Sequence, residues 1–382
     1  MNRIDTESKC CGCGACADIC PHSAILMQPD CLGFPYPQID NNRCVDCGLC
    51  NKVCDFKKRH EKSEPLNTTV YAAKHNDNEE VKTSRSGAVF IALSDWILSK
   101  NGVIYGAGYD KSFHVIHKRA TTKDQRDEFK GSKYTQSITH NIFRKIKRDL
   151  IEGLYVMFTG TPCQTAALFS FLGEKHKKRL FVVDIICHGV ASPQIWDDYL
   201  KFLEKREEQS IIGVNFRDKE IFGWSGLHKE SFVFEDRIKR TYHYTFYSDI
   251  IIRDSCNECP YCNLIRNSDI TLGDFWQWED ICPSMNINDQ GVSLVLCNTE
   301  KGKAWFNEVE SDLTIQKVDI KECLQPNLQN PTPPHDMHNI FIDDYKRKGF
   351  KYIRRKYGNI GVKYHLFRCY NFMVRLYKRI LK

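Results

Sequence analysis

Nineteen cysteines stand among 382 residues, and eight of them fall in two runs of one spacing. Cys10, Cys13, Cys16 and Cys20 read C-x2-C-x2-C-x3-C, with Pro21 following; Cys44, Cys47, Cys50 and Cys54 repeat the pattern, with Asp55 in place of proline. Such a run holds 4Fe–4S clusters: three thiolates wrap one cubane, and the fourth cysteine ligates the other cluster of the pair. Small residues at Gly12, Gly14, Ala15 and Gly48 let the loops close tightly. The ligand sets are therefore expected to cross, with Cys10, Cys13, Cys16 and Cys54 on one cluster and Cys44, Cys47, Cys50 and Cys20 on the other. Backbone N–H groups aimed at the sulfides would offset negative charge, and each fourth cysteine should open a helical turn leading to the other cluster. Zinc also takes C-x2-C pairs, but two complete four-cysteine runs argue against it. Cys11 and Cys31 lie outside both runs and read as packing residues or incidental thiols.

The chain is long enough for two or three domains with sizeable cores. No stretch approaches the roughly 20 apolar residues of a spanning helix; the best runs, Val89–Leu98 and Leu180–Cys187, read as core elements. The N-terminus is polar and lacks the apolar region of a secretory signal, so a cytoplasmic location is expected. In that reducing compartment clustered cysteines point to metal, not disulfides. The net charge of +7 hides an asymmetry: residues 345–382 carry thirteen Lys/Arg and no acid, leaving 42 Lys/Arg against 48 Asp/Glu elsewhere, a net of −6.

Elements that position further cysteines begin near Val70. Ala24–Gln28 reads as a short strand, Phe34-Pro35-Tyr36-Pro37 as a rigid turn, and the polar segment Lys57–Asn67 as a linker. Then strands and helices alternate. Ser86–Leu98 is apolar at helical spacing, Gly102–Tyr109 and Phe113–Arg119 read as a strand pair, and Ser137–Glu152 as a basic helix. Leu154–Phe158, the turn Gly160–Gln164, the helix Thr165–Leu172 and the strand Leu180–Ile186 make a strand–helix–strand unit. Such a crossover is right-handed and its strands parallel. It brings Cys163 and Cys187 to the carboxyl edge of the sheet, where open α/β sheets place ligands. Two of Cys256, Cys259 and Cys262 can join them in a third four-thiolate site. The bland alternative is that Cys163 and Cys187 are small buried hydrophobes.

Gly-Ser-Lys-Tyr (131–134), Gly-Thr-Pro-Cys-Gln (160–164), Cys-His-Gly-Val (187–190), Phe-Arg-Asp-Lys (216–219) and Ser-Asp-Ile-Thr-Leu-Gly-Asp-Phe-Trp (268–276) carry a family resemblance. From about residue 8 to about 345 the chain resembles the beta subunit of coenzyme F420 hydrogenase/dehydrogenase. More narrowly, it resembles the bacterial branch with a fused two-cluster ferredoxin, often associated with surface-polysaccharide biosynthesis. The resemblance implies non-covalent FAD and a 4Fe–4S cluster held by Cys163, Cys187, Cys256 and Cys259, with Cys262 an addition. The fold class so implied is an α+β ferredoxin-like dicluster domain (1–56), a linker (57–68), an α/β flavin-binding domain (69–344) and a basic helical C-terminal tail (345–382).

The flavin contacts so implied are Ser86, Gly87, Gly131, Ser132, Lys133, Tyr134, Gly160, Thr161 and Gln164, although Ser86-Gly87-Ala88 departs from the family's Ser-Gly-Gly. A flavin needs donors and positive charge where reduction builds negative charge. Lys133 fits that role, against the alternative of a solvated lysine. Gly160 and Thr161 suit a phosphate or ring edge. His188 is the candidate proton donor, against a structural histidine, and Asp269, Asp274 and Trp276 shape the pocket floor. The expected function is an iron–sulfur flavoprotein oxidoreductase. It would take electrons from reduced ferredoxin or another donor and pass them to an organic, sugar-derived substrate or a hydride carrier. The alternative is a relay subunit with no substrate of its own. In the tail, Leu366, Phe367, Tyr370, Met373, Tyr377, Ile380 and Leu381 recur near helical spacing. A basic amphipathic helix lies on anionic membrane or docks on the acidic body. No nucleic-acid motif accompanies it.

Overall fold

The structure is a computed structural model that describes residues 4, 9–56, 68–173, 177–220, 223–225, 229–241, 248–358 and 373. The two cysteine runs fold as copies. Each enters a five-residue helix, α1 (Ala15–Ile19) or α2 (Leu49–Val53), through a left-handed glycine, Gly14 (φ 75°) or Gly48 (φ 73°). A Cβ would be strained at both positions. Cys20 and Cys54 are the C-caps, so the fourth cysteine ends a helical turn and does not open one. Between the runs, β1 (Ile25–Pro29) pairs antiparallel with β2 (Pro35–Ile39). The expected rigid turn at 34–37 is thus mostly strand. Pro35 and Pro37 are tolerated because the ribbon has only two strands, so each presents one unpaired edge where no N–H is needed.

The body is built on one eight-stranded sheet in the order β13-β3-β12-β11-β7-β6-β4-β5. In chain order its first elements are β3 (Thr69–His75), α3 (Asn78–Thr83), α4 (Val89–Ser99), β4 (Val103–Tyr109), β5 (Val115–Ala120), α5 (Lys123–Asp127) and α6 (Ile142–Ile151). There follow β6 (Val156–Gly160), α7 (Pro162–Leu172), β7 (Leu180–Ile185) and α8 (Pro193–Glu207). A separate ribbon of β8 (Gly213–Asn215), β9 (Glu230–Val233) and β10 (Ile238–Thr241) comes next. The chain then returns through β11 (Ile270–Asp274), α9 (Trp278–Ile281), β12 (Ser293–Cys297), α10 (Glu300–Glu308), β13 (Leu313–Val318) and α11 (His338–Tyr357). Strands β4, β6, β7 and β11 are mutually parallel; β5 and β12 flank them antiparallel, β3 pairs antiparallel with β12, and β13 antiparallel with β3. The central strands are buried almost throughout, as strands covered on both faces must be.

The strand–helix–strand unit and the β4/β5 pair fall where the sequence places them. The basic helix starts later, at Ile142, because Ser137–Asn141 runs extended along the ferredoxin domain and Asn141 caps α6 with φ 58°. Ser86–Ala88 also lies outside α4, and Ala88 is left-handed (φ 61°). Position 344/345 falls inside α11, which bends at Gly349. Part of the basic segment is therefore docked on the body. Asp344 takes Lys348 (2.9 Å), Lys356 (2.7 Å) and Tyr357 (2.7 Å), and the Arg354 guanidinium lies 4.2 Å over the Phe202 ring of α8. The expected linker at 57–67 and amphipathic stretch at 366–381, apart from the exposed Met373, lie outside the described residues. Among the described residues no helix is long and apolar enough to cross a membrane.

Candidate functional site

The eight ferredoxin-type cysteines line two hollows, each lined by three cysteines of one run and one of the other. Cys10, Cys13, Cys16 and Cys54 line one with Ile4, Ala15 and Phe56; Cys20, Cys44, Cys47 and Cys50 line the other with Ile25, Ile39 and Leu49. Each holds about 390 Å³ of empty space counted to its open mouth. Among the described residues no three His, Cys, Asp or Glu converge closely enough for a single ion; the thiols ring a space and do not meet at a point. A ring of thiols about a space is the lining a cluster needs. The Gly12 N–H donates to Cys10 Sγ (3.3 Å) and the Ala24 N–H to Cys20 Sγ (3.3 Å). Burial pushes the Cys10 thiol up to about 11, against the pull of Arg253, and burial beside Cys13 and Cys10 raises Cys16 as well. Crowded thiols resist ionising together, and bound iron supplies the charge that makes them thiolates.

A third set assembles where the sheet edge meets the inner hollow. Gly160 ends β6, and Cys163 sits in the first turn of α7; Cys187 follows β7; Cys256 and Cys259 lie at the short 3-10 turn Asp254–Glu258. The sulfurs of Cys163, Cys187, Cys256 and Cys262 lie within electrostatic reach of one another, and Cys259 adjoins Cys262 and Cys163. Cys163 is held down to about 7, first by the neighbouring Cys11 thiol and then by the Thr161 hydroxyl, whose Oγ1 is 3.1 Å from Sγ. Cys256 is pushed up to about 12 by burial. Cys11 is buried, and its thiol lies close enough to those of Cys13 and Cys163 to couple with both. It therefore joins the inner set to the third set, a role its place outside the run did not reveal.

Beyond the third set, four of the sequence motifs meet. Asp274, at the end of β11, is 3.0 Å from Arg85 Nη2 and 3.5 Å from Arg217 Nη1, and Trp224 Nε1 donates to it at 3.4 Å. Arg217 also donates to the Tyr134 hydroxyl (3.3 Å) and lies 5.5 Å over the Trp276 ring. Trp276 stacks on Trp224 at 4.9 Å and is 41% exposed, so an aromatic face reaches solvent beside two buried cations. The His188 ring is 6.1 Å from that of Tyr134 and 3.8 Å from Asp249. Burial lowers the His188 pKa, against the pull of Asp249. Lys219 donates to the carbonyls of Val81 and Gln290, and burial pushes its amine down to about 7.

Residues 154–322 match the family described as the C-terminal part of the coenzyme F420 hydrogenase/dehydrogenase beta subunit, and residues 9–58 match the 4Fe–4S dicluster domain. Residues 154–322 belong to this beta-subunit family. Two curated relatives are H(2):CoB-CoM heterodisulfide,ferredoxin reductase subunits A. The one from Methanothermobacter marburgensis is 30% identical over 76 residues and that from Methanothermobacter thermautotrophicus 29% over 76. Each match covers 16% of this chain and only 12% of the relative. A solved chain of the F420-reducing [NiFe] hydrogenase complex from Methanosarcina barkeri is 18% identical, with TM-score 0.46 over 78% of this chain and 95% of that one.

The expected flavin residues divide into two groups. Tyr134 joins the Arg85–Arg217–Asp274 group, and Ser86 lies next to it in the chain, its hydroxyl donating to the Val292 carbonyl (2.7 Å). Gly87 faces backbone, where a Cβ would stand 2.3 Å from the Ala73 carbonyl oxygen. Gly131 is left-handed (φ 76°), and nothing lies within 4 Å of where its Cβ would be. The neighbouring Ser132 is half-buried. Lys133 is bound by its own loop, donating to the carbonyls of Glu128, Lys130 and Gly131, and burial pushes it down to about 7. Gln164 closes a capping box: its Oε1 accepts from the Thr161 N–H (3.0 Å) and its Nε2 donates to Ser137 (3.0 Å). Thr161 and Gln164 thus have structural partners, as does Gly160, whose Cβ position is 3.0 Å from Gln164 Oε1. Asp269 pairs with Lys301 (3.1 Å) and accepts from the Val182 N–H, so it braces β7. Sequence reasoning missed Arg85 and Arg253; Arg85 precedes the Ser86-Gly87 motif by one residue.

Proposed function

We propose that the chain is an iron–sulfur flavoprotein electron-transfer subunit. In this reading Cys10/13/16/54, Cys20/44/47/50 and Cys163/187/256/259 hold 4Fe–4S clusters, and FAD binds without a covalent link in the 69–344 domain. The carrying observation is the gathering of five thiols, Cys163, Cys187, Cys256, Cys259 and Cys262, at the carboxyl edge of β6 and β7, from which four would be ligands. Support for FAD comes from the Arg85–Arg217–Trp276 group. The buried Arg85 Nε has no hydrogen-bond partner, which suits a phosphate, and the exposed Trp276 face suits a planar ring. FAD there would exchange single electrons with clusters and electron pairs with an organic substrate or hydride carrier.

The chain's own residues have separable tasks in this reading. Arg85 and Arg217 bind and orient an anion. Tyr134 positions Arg217; Lys133, pushed down to about 7, is able to hold or release a proton near neutral pH, and His188 is the candidate hydrogen-bonding partner of the substrate. The outer hollow, with Cys47 exposed and Val45 60% and Leu49 39% exposed, is where a reduced ferredoxin or other partner docks. A sugar-derived substrate in surface-polysaccharide synthesis extends the reading by resemblance alone. Contact of residues 359–382 with anionic membrane extends it by charge alone; salt-sensitive co-sedimentation with anionic vesicles tests that part.

The test of the central reading is anaerobic purification followed by iron analysis and fluorescence of acid-released flavin. About twelve iron atoms and one flavin per chain are expected. Iron near eight, with no flavin retained after incubation with FAD, would leave only a dicluster relay.

A further inference from the structure

Arg253 is fully buried between two thiol sets and meets no carboxylate within ion-pair distance among the described residues. Its three guanidinium nitrogens all go to neutral acceptors. Nε donates to the Cys10 carbonyl (2.7 Å), Nη1 to Gln136 Oε1 (2.9 Å) and Nη2 to the Pro35 carbonyl (3.1 Å). The plane lies 4.1 Å from the Tyr36 ring centre and 5.3 Å from that of Phe34. The adjacent Asp254 is engaged by His338 at 2.7 Å. A buried cation left with neutral partners is costly, so a large compensating charge should lie close by. The candidates are on both sides: the guanidinium is bonded to the Cys10 carbonyl at the inner set, and the Arg253 carbonyl accepts from the Cys256 N–H (2.9 Å) at the third. None of its contact residues lines the outer hollow.

We propose that Arg253 is a buried counter-ion shared by the inner and third cluster sites, raising the reduction potential of both while leaving the outer site unaffected. Reduction adds one negative charge to a site. A fixed cation in a low-dielectric interior stabilises the more negative state, and hydrogen bonding and nearby charge are the levers by which a protein sets cluster potentials. Gly12 permits the arrangement: a Cβ there would stand 2.6 Å from Gln136 Nε2 and 2.9 Å from Arg253 Nη1. The proposal rests on the three-cluster reading, and the two fail separately. If the parent holds only about eight iron atoms, the third site is wrong, yet the Arg253 effect must still appear on the inner cluster.

The experiment is a potentiometric titration of anaerobically purified full chain, followed by electron paramagnetic resonance, with iron content measured on the same samples. Arg253→Gln should shift the inner and third signals to lower potential and leave the outer one in place. Arg253→Lys keeps the charge and should stay near the parent. Should Arg253→Gln fail to load clusters, Gln136→Glu places a carboxylate at the atom that accepts from Nη1 and should produce the same downward shift. Unchanged potentials in a fully loaded Arg253→Gln or Gln136→Glu protein overturn the proposal. So does an Arg253→Lys shift as large as that of Arg253→Gln, which would make hydrogen bonding, not charge, the cause.

Discussion

The two cysteine runs share one spacing, one helix length and one left-handed glycine, yet one is turned into the molecule and the other out of it. In α1, Ala15, Cys16 and Asp18 are buried; in α2 only Val53 is. The decisive difference is a single position. Asp18 accepts from the N–H groups of Asn141 (3.0 Å) and Phe143 (3.1 Å) at the head of α6, while its counterpart in the second copy is the exposed Lys52. A carboxylate at a helix N-terminus meets unpaired donors and the positive end of the dipole; a lysine there would meet both with the wrong sign. Thr139 then donates to the Cys13 carbonyl (2.6 Å), Gln136 to that of Cys11 (2.9 Å) and Arg144 to that of Cys20 (2.7 Å). Identical ligand spacing fixes cluster type; the residues between the ligands fix which cluster faces the body.

The largest expected effect tests the inward side. A Cys163→Ser, Cys187→Ser double variant should lose about four of twelve iron atoms, read by anaerobic iron analysis; unchanged iron would dissolve the contrast between a buried relay and an exposed port. Next comes Asp18→Lys. It leaves two donors unmet and adds a cation at the helix head, so thermal unfolding should show a loss of roughly 2–4 kcal/mol. Tyr261→Phe removes the hydrogen bond from its hydroxyl to Asp55 (2.9 Å) and should cost about 1 kcal/mol in the same assay. Smallest is Lys52→Asp on the outward copy, which should stay within about 0.5 kcal/mol of the parent. A Lys52→Asp loss as large as that of Asp18→Lys would show that the charge at this position does not decide the facing.

The crossed grouping of the eight cysteines was legible because the run is a local pattern repeated whole, and the β6–α7–β7 crossover because its apolar runs are short and its turn is marked by Gly160 and Pro162. Cys11 and Arg253 were not legible. Each acts through contacts between residues more than 100 positions apart, and neither has a periodic or spacing signal. The strand order β13-β3-β12 was also hidden, since β3 opens the body while its antiparallel partners β12 and β13 come only after the long excursion through β8–β10. Pro35 and Pro37 misled in the other direction, because proline punctuates most chains but sits comfortably in a two-stranded ribbon. Lys133 illustrates a third limit: its loop was recognisable, but the destination of a flexible amine was not.

The pin at Arg253 also has a consequence in time. Cys54, the last cysteine of the two N-terminal sets, emerges from a ribosome about 200 residues before Arg253. At ordinary synthesis rates that is a delay on the order of 10–40 s. During it the ferredoxin domain has all eight of its ligands, while its inward face, with Ala15, Cys16 and Asp18, is still waiting for Gln136, Thr139, Arg144 and finally Arg253. The inner site is therefore complete in ligands but open to water and oxidants until the body closes over it. An aerobic pulse given early in synthesis should damage the inner site as readily as the outer, whereas the same pulse on finished protein should spare it.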